Sequence, residues 1–453
     1  MFRPHLRTAA AAGLFAGLGL GLAGPALAHG APSPAISSAM TATVSADALG
    51  AAVDAVMPRV IEWRRDLHQH PELGFAEHRS AALIAEHLRA LGLEVRTGVA
   101  KTGVIGVLRG GRPGRTVALR ADMDALPVRE TTGLPFASTA TGEYMGQTVP
   151  VAHACGHDAH MAMLMGAAEV LAGMKDQIAG TIVFVFQPAE EGAPPGEPMG
   201  GAALMLHEGA LDDPRPEAIF GLHVTPGLPG TIAYRPQGFM AASHRVDIRL
   251  TGRQTHGAWP WKGVDLIAVA AQVVNTVNTL TARTVDPTTT PTVFTIATID
   301  AGVRYNIIPA EATMSGTMRT FDVAQQADLA EPARAAIQHV AQAYGAEAHV
   351  ELHQNGALVY NDPELSAWLA PVLEGAAGEG RVDPATPPTT IAEDFSFFQQ
   401  AIPGVFYHLG ASADGVDPAL SPPNHSPEFD VNEKALPVGV RAHVLTALRF
   451  LER

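Results

Sequence analysis

Four segments of this chain share one form, a short apolar run that breaks off into polar, ionisable residues. They are "TVALRADMD" (116–124), "TIVFVFQPAEE" (181–191), "AIFGLHV" (218–224) and "GVFYHLG" (404–410). A strand with one wet face alternates apolar and polar residues, whereas a strand buried on both faces does not. The four runs therefore predict strands of a parallel or mixed sheet covered by helices, and an α/β fold. Helical segments lie between them, such as "HMAMLMGAAEVLAGM", for which Asp158 is the expected N-cap. Ligands of open α/β sheets gather outside the carboxyl ends of the strands, which is where the polar clusters fall. Residues 61–110 begin as a charged helical segment and pass into a further strand, "TGVIGVLRGG". Its glycines lack the G-x-G-x-x-G spacing, and no acidic residue stands at the matching distance, which excludes a dinucleotide site.

Residues 243 to about 354 read differently. "HRVDIRL" alternates, "GVDLIAVAAQVVNTVNTLTAR" reads as a long helix, and "PTVFTIATID" and "EATMSGTMRTF" read as strands. A helical stretch interrupted by proline (323–344) and a last strand, "EAHVELHQ", complete the order β-α-β-β-α-β of a ferredoxin-like unit. The expected organisation is a main domain over 49–240 and 355–453, with residues 241–354 inserted as a second domain.

The N-terminus carries Arg3 and Arg7 before an apolar run, "TAAAAGLFAGLGLGLAGPALA", that closes on Ala26-Leu27-Ala28. This is the layout of a secretory signal peptide over 1–28, with cleavage expected after Ala28 and delivery to the periplasm or the exterior. Residues 29–48 are small and rich in Pro and Ser, as in a flexible linker. No later stretch approaches the ~20 apolar residues that a membrane span requires. The formal charge is −15, and loss of Arg3 and Arg7 with the leader makes it more negative. Such a surface argues against nucleic acid or an anionic membrane as partner. It does not restrict small substrates.

The chain has one cysteine, Cys155, within "HACGHDAH" (153–160), so an exported form has no disulfide to make. The strand-end clusters hold Asp122, Asp124, Cys155, His157, Asp158, Glu190, Glu191 and His223, and "PNHSPEF" adds His425. Imidazole, carboxylate and thiolate at strand-to-loop transitions are the donors of a borderline-soft divalent cation. Taken singly, each has an ordinary reading: His223 or His425 as a hydrogen-bonded loop residue, Glu190-Glu191 as a solvated turn, Cys155 as a small buried hydrophobe. Two other classes of function also stand. Cys155 can be a nucleophile activated by His157, although residues two apart face each other poorly and Glu190, Glu191, His223 and His425 are left without a role. The fold can also serve a binding protein with a structural metal.

"RRDLHQHPELGFAE", "LRADMDALP", "HACGHDAH", "FQPAEEG", "GLHV", "THGAWP", "NIIP", "GTMR", "AEDFSFF" and "NHSPEF" follow one another in the order of a single family. Across residues 55–450 the chain resembles the metal-dependent N-acyl-amino-acid amidohydrolases of the hippurate hydrolase and auxin-conjugate hydrolase group, within the aminoacylase/carboxypeptidase metallopeptidases. The resemblance implies a mixed-sheet catalytic domain and an inserted ferredoxin-like lid that dimerises. It implies two divalent metal ions per subunit (Mn, Zn or Co) on Cys155, His157, Glu191, His223 and His425. Glu190 becomes the proton shuttle, Asp124 a carboxylate that orients a ligand, and His256 the oxyanion donor, supplied by its own or the partner subunit. Asn306 and Arg319 become candidates for the substrate carboxylate. Asp122 stands where more distant relatives carry a histidine ligand and is left out of the ligand set. Ala159 replaces a frequent glycine, and "TARTVDP" has Thr-Ala where Ser often precedes Arg; neither touches a proposed ligand. The implied partners are a small N-acyl amino acid or peptide and a second copy of the chain.

Overall fold

A computed structural model describes residues 46–286 and 291–453. The expected signal peptide and most of the linker lie outside the described residues. A helix over Ala46–Gln69 already includes the last three residues of the expected 29–48 linker. Among the described residues no helix is long and apolar enough to cross a membrane.

The four unalternating runs become four adjacent strands. Ala179–Gln187, Arg112–Asp122, Ala218–Thr225 and Gly404–Gly410 lie side by side and pair in parallel at the centre of an eight-stranded mixed sheet. Glu94–Val99 and Gly103–Arg109 extend it on one side through antiparallel pairing. The short strands Ile232–Ala233 and Val382–Asp383 close the other side. Alternate side chains of one strand feed two separate cores. Val117, Leu119 and Ala121 pack with the helices Ala46–Gln69, His157–Gly173 and Leu436–Leu451, while Ala118 faces Phe395, Phe398 and Met205. Burial of both faces explains the missing alternation. Because the four strands are parallel, their carboxyl ends open onto one edge, where the polar clusters collect.

The helix His157–Gly173 is buried from its first residue through Ala168 and is apolar on nearly every side, as a central helix must be. Asp158 does not cap it. Gly156 occupies the N-cap position at φ 89°, a left-handed conformation suited to glycine, and a Cβ there would collide with Val224 Cγ2. Asp158 falls inside the first turn, where Arg64 and His68 of the helix Ala46–Gln69 take its carboxylate at 3.1 and 2.8 Å.

Residues 242–356 form the strand-helix-strand-strand-helix-strand order anticipated above. Ala242–Thr251, Thr292–Ala301, Glu311–Thr320 and Glu347–Gly356 make a four-stranded antiparallel sheet, with Glu311–Thr320 and Ala242–Thr251 in its middle. One face packs on the helices Leu266–Thr284 and Val323–Ala343 through Val246, Ile248, Leu250, Val269 and Ile337. The other face is wet, hence the alternation. Asp265 caps the first helix by accepting from the N–H groups of Ile267 and Ala268. The second helix runs through Pro332 without a break. Leu329, Ala333 and Ile337 on either side of the proline are buried against the sheet and hold the turn that loses a hydrogen bond.

Candidate metal centre

The strand ends deliver Asp122, Asp124, Glu190, Glu191 and His223 to one edge of the sheet. The loop ahead of the central helix adds Cys155, the first residue of that helix is His157, and the C-terminal loop adds His425. Cys155 Sγ lies 3.4 Å from His223 Nε2 and 3.3 Å from His425 Nε2. His425 Nε2 is 3.1 Å from Glu191 Oε1. Cys155, Glu191 and His425 bring one donor atom each within 4.8 Å of one another, as do His157, Glu190 and Glu191. The five ligands implied by the resemblance thus meet in one place.

Hydrogen bonds decide which ring nitrogens are available. His223 Nδ1 lies 2.8 Å from the Val224 carbonyl oxygen and donates to it, leaving the Nε2 lone pair facing Cys155. His160 is spent at both ends: Nε2 accepts the Val224 N–H at 2.8 Å, so the proton sits on Nδ1 and goes to Asp122 Oδ1 at 2.5 Å. His160 therefore lies among the cluster without a free donor atom. The other oxygen of Asp122 accepts from Arg120 at 2.7 Å. His157 is the opposite case. It is fully buried, and neither ring nitrogen has a hydrogen-bond partner among the described residues. Its Nδ1 lies 3.4 Å from Asp124 Oδ1 and its Nε2 3.9 Å from Glu190 Oε2. Glu191 Oε1 is buried too, and what it faces is the His425 ring nitrogen. Buried polar atoms are ordinarily bonded, so an orphaned imidazole beside a carboxylate and a thiol fits a cation that takes mixed N, O and S donors.

The electrostatics agree. Burial, then Glu191 and Glu190, push the Cys155 thiol well above its ordinary range. Burial, then Glu393 and Glu191, push the Glu190 carboxyl well up. Burial works against a proton on His157, but Asp122 and Asp124 outweigh it and lift the group to about 10. Burial and then His160 hold His223 well below the usual imidazole range. Negative groups crowded out of water in this way call for positive charge among them.

Asp124 holds the loop that follows the strand Ala179–Gln187. Its two oxygens accept the N–H groups of Glu190 at 2.9 Å and Glu191 at 3.1 Å. Behind Glu190 lies a buried ionic network that sequence reading left without a role. Arg120 is fully buried and donates to Asp122, to Gln187 at 2.8 Å, and to Glu393 and Asp394 at 2.9 and 3.3 Å. The Asp394 N–H donates to Glu190 Oε1 at 3.4 Å. A signal existed: an arginine inside a run buried on both faces must be paired. Asn424 beside His425 was passed over too, and its Nδ2 donates to the carbonyl oxygens of Cys155 at 3.2 Å and Val224 at 3.1 Å.

His256, Asn306 and Arg319 belong to the inserted residues, and among the described residues His256 joins none of the donor clusters around Cys155. His256 is exposed, its Nδ1 accepts the Ala258 N–H at 3.0 Å, and its ring lies 5.3 Å from that of Trp259. Asn306 sits beside it: its carbonyl accepts the Gly257 N–H at 2.9 Å, while its Oδ1 is buried without a partner among the described residues. Arg319 is half-buried on the strand Glu311–Thr320 and donates to Thr317 Oγ1 and to the Met318 carbonyl at 3.3 Å. Among the described residues no carboxylate pairs with it, and burial lowers its pKa.

Residues 118–449 match the model of peptidase family M20/M25/M40. Thermostable carboxypeptidase 2 of Saccharolobus solfataricus is 38% identical over 394 residues, covering 86% of this chain and 95% of that protein. N-acetylcysteine deacetylase of Bacillus subtilis is 35% identical over 396 residues, covering 87% and 97%. The crystal structure of the Bacillus subtilis YXEP protein, a dinuclear metal binding peptidase of the M20 family, is similar with a TM-score of 0.73 at 33% identity, covering 88% of this chain and 99% of that one. The chain belongs to peptidase family M20/M25/M40, metal-dependent hydrolases of amide and peptide bonds.

Proposed function

We propose that this chain is an exported amidohydrolase that cleaves the amide bond of N-acyl amino acids or related peptide-like substrates. The observation that carries the proposal is the convergence of Cys155, His157, Glu191, His223 and His425 beside a buried Glu190. These five side chains would hold two divalent ions, which when bound supply Lewis-acid activation of water and of the amide carbonyl. Glu190 takes a proton from the attacking water and passes it to the leaving amine. Burial and the neighbouring Glu393 raise its affinity for that proton. Asp124 fixes the backbone of the Glu190-Glu191 loop.

His256 stands outside the cluster in this chain, so it would reach the developing oxyanion by closure of the inserted residues or from the partner subunit of a homodimer. Arg319, half-buried and without an acidic partner among the described residues, suits a substrate carboxylate through its planar pair of donors. Asn306 would assist through its Oδ1, which has no hydrogen-bond partner among the described residues. The relative named for N-acetylcysteine deacetylation supports an N-acyl amino acid as the substrate class. Export rests on the leader pattern of residues 1–28, and intact Met1 on protein recovered from outside the cytoplasm would refute it.

The test is hydrolysis by purified protein of N-acetyl, N-benzoyl and peptide substrates, each as free acid and as amide, with Mn, Co or Zn added. Turnover of an N-acyl amino acid that chelation abolishes and metal restores is the expected result. No turnover of any such substrate, or turnover indifferent to chelation, would refute the proposal.

A further inference from the structure

The loop that carries Glu190 and Glu191 leaves the sheet through Pro188, which has no N–H to give. Ala189 then adopts φ 47°, a left-handed conformation that a non-glycine residue keeps only where its surroundings hold it. The next three N–H groups are all taken by carboxylates from elsewhere in the chain. Glu190 and Glu191 donate to Asp124, and Ala189 donates to Glu77 Oε1 at 2.9 Å.

Glu77 is an unusual residue to find there. It is completely buried, and its second oxygen accepts from Thr102 Oγ1 at 2.5 Å. It also occupies the N-cap position of the helix His78–Ala90, yet its side chain makes no cap hydrogen bond. Glu72 does that work: its oxygens accept the N–H groups of Arg79 and Ser80, each at 2.8 Å. With the cap supplied by Glu72, Glu77 is free to turn inward. Gly74 of the same segment lies against the loop, and a Cβ there would come within 3.1 Å of Ala189 Cβ. Burying a carboxyl group is costly unless it is fully bonded, and both Glu77 oxygens accept a hydrogen bond, one of them from the loop.

We propose that Glu77 is a positioning residue for the reaction: its hydrogen bond to the Ala189 N–H, with those of Asp124, fixes where the Glu190 and Glu191 side chains point. The roles of Glu190 and Glu191 are those of the preceding subsection, on which this proposal rests. Among the described residues Glu77 joins none of the donor clusters, and it acts through the loop backbone that it holds.

The clamp needs an acceptor at the right reach, which separates two conservative variants. In Glu77→Gln the carboxamide oxygen accepts from Ala189, and its NH2 donates to Thr102 Oγ1. In Glu77→Asp the charge stays, but the side chain is one methylene short of the loop. The experiment measures kcat, KM, metal content and thermal midpoint for both, with amide hydrogen exchange over the peptide 183–192. Glu77→Gln is expected to keep kcat within about threefold of the parent enzyme and to keep the exchange protection. Glu77→Asp is expected to lose roughly 10- to 10²-fold in kcat, with KM little changed and faster exchange in that peptide.

Glu77→Asp with full kcat and full protection would overturn the proposal, even if its thermal midpoint fell. So would a Glu77→Gln variant as impaired as Glu77→Asp, because charge rather than reach would then matter. A parent enzyme without activity on any N-acyl amino acid would refute the functional reading instead, and the exchange comparison would still decide the clamp.

Discussion

The Asp124 carboxylate accepts the backbone N–H groups of two consecutive residues, Glu190 at one oxygen and Glu191 at the other, at 2.9 and 3.1 Å. One side chain thereby sets the position of two glutamates to which different work is assigned. Asp124→Asn replaces one acceptor with an amide donor that faces an N–H. We expect kcat/KM to fall roughly 10- to 100-fold, the usual cost of losing a partner that orients metal ligands. Steady-state kinetics and metal analysis on Asp124→Asn provide the check, and an unimpaired variant would remove Asp124 from the site.

Cys155→Ser tests the thiolate. A hydroxyl is a much poorer ligand than a thiolate, so metal content and activity should fall together, with the buried fold otherwise kept. Parallel metal analysis and kinetics would read the result. Full metal and full rate in the Ser variant would show that Cys155 is only a small buried side chain.

Much of this arrangement was legible in the sequence because burial leaves a pattern. The four central strands lack alternation since Val117 and Ala118, neighbours in the chain, feed opposite cores. The strand Ala242–Thr251 alternates because one of its faces is wet. Other features depended on where distant groups land. The Val224 backbone alone takes a nitrogen from His160 and fixes the tautomer of His223, and no spacing rule places an amide from residue 224 beside a ring at 160. The N-cap expected of Asp158 failed because Gly156 turned the chain one step earlier and Arg64 and His68 claimed the carboxylate. Likewise Glu72 and Glu77 divide capping and clamping in a way that only the folded segment reveals.

Stability should depend on pH through His68. Its Nδ1 lies 2.8 Å from Asp158 Oδ2 and its Nε2 3.1 Å from Glu130 Oε1, with Arg64 and His153 nearby. Burial opposes a proton on His68, but Asp158 and Glu130 outweigh burial and the opposing Arg64, and raise it from 6.5 to about 9. A folded-state value above the unfolded one means the folded protein holds the extra proton. The stabilisation is therefore complete below pH 6.5 and is lost as pH rises through about 9. Thermal midpoints of the parent protein and of His68→Gln should differ more below pH 6.5 than above pH 9. A difference that stays constant or grows with pH would contradict the pairing.

The most direct test of the metal centre compares Glu190→Gln with Glu191→Gln by metal analysis and steady-state kinetics. Glu191 is assigned as a ligand, so Glu191→Gln should bind metal weakly and regain part of its activity when metal is added. Glu190 is assigned as the proton shuttle, so Glu190→Gln should keep its metal and its KM while kcat falls by ~10²–10⁴, the range that general acid–base catalysis contributes. Loss of metal in Glu190→Gln with retention in Glu191→Gln would exchange the two roles. Full activity in both would contradict the mechanism.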